Sequence, residues 1–487
     1  MSEAASVPFS ETKAPESADR LHRGALSLVD ISASTMANIG PAYSFYFGFA
    51  GLVAFSGLAA PLTIIVAGIA IALLGNTLSQ FSRVMPSTGG FISFIGKTFG
   101  GTSAVTTALL CGVGYIIAIS SVLAVCGGFL SIILSHYFHW NIPWGILTVL
   151  LTAGAVAMMI RGVAVSTKLA GLFFGFEMLV LIVVSIIALV KNGGHLSAIP
   201  FEPSHITNGF TGLAAGFPLA VYLFIGWENS AALAEETDNP RRNVPRAVFL
   251  SITLMVVGYL LFAYSTVSAF GYNGTKLGAA TIPFISVSQN LFSSLAVFAY
   301  IAGMTSTLGV LISAVNSQCR LIFNAGREGL LPSWIGRVHP TRRTPVNAIF
   351  FFVAVAGVII VGWAAGHLIG GNSGSMDPIN FFFESSTLGT ILILVVYFLS
   401  NLALPFYYRK FRPEEFSVVK HAVLPVLGMA AIAVPVYYLS KPGQPAPYDW
   451  FPYAALAMVI LAVIYAVILN RRDPSLGERA GSIVADE

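Results

Sequence analysis

Three glutamates, Glu177, Glu228 and Glu384, stand inside long apolar runs of this sequence. A carboxylate deep in a bilayer costs several kcal/mol unless it faces a cavity or a partner. Burial disfavours its charged form, so such a group can also gain and lose a proton. Two of the apolar runs carry helix breaks. In Ser32-Ala33-Ser34-Thr35-Met36-Ala37-Asn38-Ile39-Gly40-Pro41-Ala42-Tyr43-Ser44, Gly40 weakens the helix and Pro41 removes one N–H. In the second, an apolar half from Thr211 to Phe224 meets Gly226-Trp227-Glu228-Asn229, and a further half is expected to continue to Thr237. Backbone groups freed at such breaks near the bilayer midplane can bind a ligand instead of each other. The competing readings are structural: a proline kink at Pro41, and at Glu228 a hydrogen-bonding group that locks the break.

The elements that must position these residues follow from composition and length. The chain has 487 residues, of which 56% are hydrophobic and 9% charged, against about 25% charged in soluble domains. So few charges cannot cover a water-facing surface, and the chain is expected to be an all-α integral membrane protein. The net charge of +4 gives no sign of nucleic-acid binding, because the basic residues sit in loops. Cys111, Cys126 and Cys319 lie in apolar runs without paired or metal-ligand spacing and read as small buried hydrophobes. No cofactor or metal is expected. No metal-ligand cluster, nucleophile elbow or phosphate loop supports an enzyme, and neither a channel nor a receptor needs two broken helices. Oligomeric state is left open.

A spanning helix needs about 20 apolar residues. Twelve segments meet that need, at about 26–52, 59–82, 103–134, 143–160, 163–190, 211–237, 246–270, 295–323, 346–368, 379–404, 421–440 and 449–470. With the first residues placed in the cytoplasm, only Lys191, Lys276 and Lys441 of the 25 basic residues fall on the outer side. That asymmetry fits the positive-inside rule and leaves both termini cytoplasmic. The expected organisation is a polar tail over 1–24, a transporter core over 25–410, two further helices over 411–470 and a second tail over 471–487. The breaks fall in the first and sixth helices, five apart, which is the spacing of a five-plus-five inverted repeat.

Phe224-Ile225-Gly226-Trp227-Glu228 followed by Ala234-Glu235-Glu236-Thr237-Asp238-Asn239-Pro240-Arg241-Arg242-Asn243-Val244-Pro245-Arg246-Ala247 resembles the sixth-helix signature of permeases of the amino acid–polyamine–organocation (APC) superfamily. Pro86-Ser87-Thr88-Gly89-Gly90-Phe91, Arg320-Leu321-Ile322-Phe323-Asn324-Ala325-Gly326-Arg327 and Leu388-Gly389-Thr390 resemble further elements of that family, in order. The resemblance implies a LeuT-type fold with the first and sixth helices around a small amino acid or amine. It carries the substrate site onto Asn38, Ile39, Gly40, Pro41, Ala42 and Tyr43, and onto Tyr222, Phe224, Ile225, Gly226 and Glu228. Pro41 cannot donate a hydrogen bond, so recognition of a substrate carboxylate at this break must be shifted, supplemented or absent. Glu177 falls where several proton-coupled members place a lysine, which makes it the first proton-coupling candidate, with Glu228 and Glu384 behind it. Thr305, Ser306, Thr307 and Ser313 could line a sodium site, or be ordinary helix-packing groups. The implied function is secondary active transport, proton-coupled uptake first, with an exchanger or a polyamine importer as alternatives.

Overall fold

The computed structural model describes residue 24 and residues 26–161, 163–369, 376–442 and 446–479. The expected tail over 1–24 lies almost wholly outside these residues, and of the expected tail over 471–487, residues 480–487 do. The described chain is helical, and its one β-type contact is an isolated bridge between Leu26 and Thr237.

Nine helices among the described residues are long and apolar enough to cross a bilayer, and Trp144–Ile160 and Gly209–Tyr222 are shorter apolar helices. The first of the nine runs from Leu28 to Val84, 57 residues, and is divided at Gly57. Twelve segments result, in the order read from the sequence. They are α1 (Leu28–Ile39, then Pro41–Tyr43, Ser44–Gly48 and Phe49–Ser56), α2 (Ala60–Val84), α3 (Gly101–Phe138), α4 (Trp144–Ile160) and α5 (Val163–Lys191). The second set is α6 (Gly209–Tyr222, then Asn229–Ala232), α7 (Pro240–Ala269), α8 (Ser293–Arg327), α9 (Val346–Ile369) and α10 (Pro378–Phe411). After these come α11 (Val419–Val423 and Leu424–Leu439) and α12 (Phe451–Arg472). Helices α1–α5 and α6–α10 are the two halves of a LeuT-type inverted repeat.

Packing follows residue size. Where α3 crosses α10, a Cβ added at Gly389 would lie 2.9 Å from the Gly114 carbonyl oxygen, so the backbones approach too closely for any side chain. Small residues allow this contact between membrane helices, where dispersion rather than water exclusion drives association. At the periphery, Val358 and Val361 on α9 and Leu461 on α12 are exposed, as lipid-facing apolar residues must be. The second half of α6 departs from expectation. Only one helical turn, Asn229–Ala232, and a 3₁₀ turn, Ala234–Glu236, follow the break. Backbone bonds tie this segment to the start of α1: Leu26 donates to Glu236 O at 2.9 Å, and Asp238 donates to Leu26 O at 2.8 Å.

Candidate functional site

The break in α1 is built by its own sequence. Ser27 and Asp30 cap the first arm reciprocally. Gly40 ends that arm at φ +61° and Pro41 opens the second, as expected of a residue free of Cβ strain and one already fixed in φ. Two N–H groups of the new arm are then taken by side chains from other helices. Ala42 N–H donates to Glu177 Oε2 at 2.9 Å, and Tyr43 N–H donates to Ser306 Oγ at 2.9 Å. Gly40 N–H is held by Met36 O at 3.0 Å. Glu177, buried on α5, therefore sits at the positive end of the second arm of α1.

In α6, residues 223–228 run through successive turns, with Gly226 at φ +107°. Glu228 folds back on this break: its Oε2 accepts Gly226 N–H at 3.1 Å and its Oε1 accepts the Tyr115 hydroxyl at 2.7 Å. The locking role is thus present in the structure, beside any role toward a ligand. The two breaks touch. Asn38 Nδ2 donates to Gly226 O at 3.5 Å and to Ser317 Oγ at 3.4 Å. Ser34 and Ser313 continue the polar seam at 3.2 Å, and Asn229 Nδ2 donates to Ser34 Oγ at 3.1 Å.

Two narrow cavities flank the contact between the breaks and share Asn38 and Gln318. One lies between Ile39, Tyr43, Tyr222 and Ile225 on the broken helices and Ala118, Ile119, Val122, Val310 and Ala314 on α3 and α8. The other is lined by Tyr115, Glu228, Asn229 and Phe91 among others. Gln318 Oε1 is buried and has no hydrogen-bond partner among the described residues, an arrangement that costs free energy unless something else fills it. On one side, the Tyr43 and Tyr222 hydroxyls meet at 2.8 Å, and both rings pack edge-on against Phe382 of α10. On the other side, two ion pairs join the end of α6 to α8. Arg320 Nε meets Glu236 Oε2 at 2.6 Å with both side chains 1% exposed, and Arg327 Nη2 meets Glu235 Oε2 at 2.8 Å. The cavities lie between an aromatic layer and a charged one.

The remaining candidates separate. Phe224 packs against Tyr259 with ring centroids 5.3 Å apart and lines neither cavity. Gly40, Pro41 and Ala42 shape the break without lining either cavity. Glu384 belongs to a different, apolar cavity bounded by α3, α9, α10 and α12, where Trp363 Nε1 donates to its Oε2 at 2.7 Å. Thr305 and Thr307 bond carbonyls of their own helix, while Ser306 and Ser313 reach α1. Gln318 and Tyr115 also line these cavities and were not among the expected site residues. The polar run Asn316-Ser317-Gln318 inside an apolar helix was a usable signal for the first. Tyr115 gave none.

Gly40 has little room for change. An added Cβ would lie 1.9 Å from Val310 Cγ2, at a backbone angle that side chains rarely adopt. Gly40→Ala is expected to abolish substrate uptake while the chain still inserts, and Gly40→Ala with Val310→Ala to restore part of it. Uptake by the single variant at the parent rate would show that the break tolerates a side chain.

Comparison with known proteins places this geometry. A family model described as amino acid permease matches residues 26–480, nearly the whole chain. The chain belongs to the amino acid permease family. A branched-chain amino acid permease of Bacillus subtilis is 21% identical over 420 residues, covering 82% of this chain and 84% of that protein. The methylthioribose transporter of the same organism is 23% identical over 422 residues, with the same coverage. In three dimensions the permease is similar to a manganese transporter of Eremococcus coleocola, with a TM-score of 0.54 over 91% of this chain and 95% of that one. At 12% identity that likeness speaks for the fold alone. The permease is a multi-pass membrane transporter of the APC superfamily, and it is not an enzyme.

Proposed function

We propose that this permease moves a small neutral amino acid or a related amine across the cytoplasmic membrane by alternating access, coupled to protons. The observation that carries the reading is the junction of the two breaks, where cavities lined by Asn38, Tyr43, Tyr222 and Gln318 lie beside a buried carboxylate, Glu177, bonded to the α1 backbone. Half-broken helices meeting at the repeat interface are where secondary transporters bind substrate. The unpartnered Gln318 Oε1 suits an ammonium donor. Ala118, Ile119, Val122, Val310 and Ala314 suit an aliphatic side chain, in keeping with the branched-chain permease among the relatives. The N–H groups of Ala42 and Tyr43 are engaged by Glu177 and Ser306. A substrate carboxylate must therefore displace one of these partners or bind elsewhere. A water-sized sphere, not an amino acid, fits the cavity as it stands, so binding requires side-chain movement. The charge asymmetry of the loops supports a cytoplasmic position for both termini.

The test is uptake into reconstituted vesicles whose orientation is fixed by labelling Thr275→Cys with an impermeant thiol reagent, reactive from outside in the proposed orientation. Empty vesicles under an inward proton gradient are expected to accumulate a neutral amino acid such as leucine or alanine. Uptake that appears only after preloading would identify an exchanger instead. No transport of any amino acid or amine in either format would sink the reading.

A further inference from the structure

Four arginines gather on the surface away from the candidate site. Arg83 comes from the end of α2, and Arg241, Arg242 and Arg246 from the start of α7; all four are exposed. With Pro245 and Phe249 they line an open pocket of about 540 Å³, and none of the described residues lining it is an acid. Its geometry is built in. Arg241 Nη1 donates to the carbonyls of Val84 at 3.1 Å and Arg83 at 3.4 Å, which fastens the start of α7 to the last turn of α2. Among the described residues the nearby acids are engaged or lie outside the pocket: Glu235 and Glu236 hold Arg327 and Arg320, and Asp238 does not line it. None of Arg83, Arg242 and Arg246 makes an ion pair within the described residues. Like charges held together repel one another, and an anion would relieve the repulsion among Arg83, Arg242 and Arg246.

The pocket continues into an apolar face. Phe249, Leu250, Leu254 and Val257 of α7 are exposed and follow one another down the helix, covering about 12 Å of its length at 1.5 Å per residue. On a membrane-spanning helix such a face meets acyl chains. The guanidinium fork matches phosphate oxygens in pairs, which an ammonium does not. A basic head above an apolar stripe at a membrane interface is the chemistry of an anionic lipid and not of a free anion, which has no use for the stripe.

We propose that the pocket between the end of α2 and the start of α7 binds the headgroup of an anionic phospholipid, with its acyl chains along the Phe249–Val257 face of α7. The lipid bridges α2 to α7 immediately beyond the segment that joins α6 to α7, so it fastens the helices on either side of the Arg83–Arg241 contact.

Native mass spectrometry of the purified protein with phosphatidylglycerol and phosphatidylcholine tests this. The parent protein is expected to bind phosphatidylglycerol at least tenfold more tightly than phosphatidylcholine. Arg83→Ala/Arg242→Ala/Arg246→Ala is expected to lose that preference. Arg471→Ala/Arg472→Ala, which removes two exposed charges from the end of α12, is expected to keep it. Retention of the preference by the triple variant, or equal loss in both variants, overturns the site. Full displacement of phosphatidylglycerol by millimolar inorganic phosphate would mark a small-anion site and overturns the lipid assignment. A photoreactive phosphatidylglycerol on the unaltered protein supplies a readout that needs no variant. Adducts within residues 241–257 support the proposal, and adducts confined to other helices overturn it.

Discussion

Glu177→Gln is expected to exchange substrate across the membrane at the parent rate and to lose proton-driven accumulation. Glu177 is buried on α5 and accepts the Ala42 N–H at 2.9 Å, at the start of the second arm of α1. The charged carboxylate is favoured there by the positive end of that arm, and the neutral acid is favoured by the apolar surroundings. Gain or loss of one proton therefore changes how firmly the α1 break is held, and this difference between two states is what coupling requires. Glutamine keeps the shape and an oxygen for the Ala42 N–H but cannot titrate. For one proton per substrate, a gradient of one pH unit sustains about tenfold accumulation, since one unit is worth about 1.4 kcal/mol. The parent should approach that ratio as the outer pH falls, and the variant should stay near equality at every pH. The measurement is concentrative uptake with and without an imposed gradient, beside counterflow. A variant that still concentrates substrate with the parent pH dependence would make Glu177 a structural residue and move the search to Glu228.

Arg320→Met is expected to cost the fold on the order of 3–5 kcal/mol, the usual penalty for stranding one member of a buried ion pair. Arg320 and Glu236 are each 1% exposed, meet at 2.6 Å and share a second contact at 3.3 Å. Removing the arginine leaves a carboxylate without its counter-ion in an apolar setting, which is worse than having no charges there. The pair of changes Glu236→Met with Arg320→Met should accordingly recover much of the loss. Unfolding of the detergent-purified variants reads this directly. A single variant as stable as the parent, or a double variant no better than the single, would show that the pair does not carry the contact between α6 and α8.

The fold was legible because lipid imposes a simple rule: apolar runs of spanning length, with charges kept to their ends. The twelve segments, and the breaks at Gly40 and Gly226, follow from that rule and from the conformational preferences of glycine and proline. The partners of those breaks were not legible, because they come from distant parts of the chain. Glu177 lies 135 residues from the amide it caps, and nothing in the α1 sequence says that its N–H groups are already engaged. Arg320 was counted with the cytoplasmic basic residues, close to the end of the expected span over 295–323, yet α8 continues to Arg327 and buries it. Glu384 looked equivalent to the other two glutamates, since all three interrupt apolar helices. Only the packing of α9 and α12 sets it apart, in a cavity of its own with Trp363.

The two backbone bonds between Leu26 and the Glu236–Asp238 segment have a mechanical consequence. They couple the first arm of α1 to the short arm of α6, so the two cannot swing independently. The joints on which they would turn are Gly40 and Gly226, each already at positive φ. Opening of the cavities to that side would then be the swing of one door on two hinges. Stiffening either hinge would jam the whole leaf, even with the other left free.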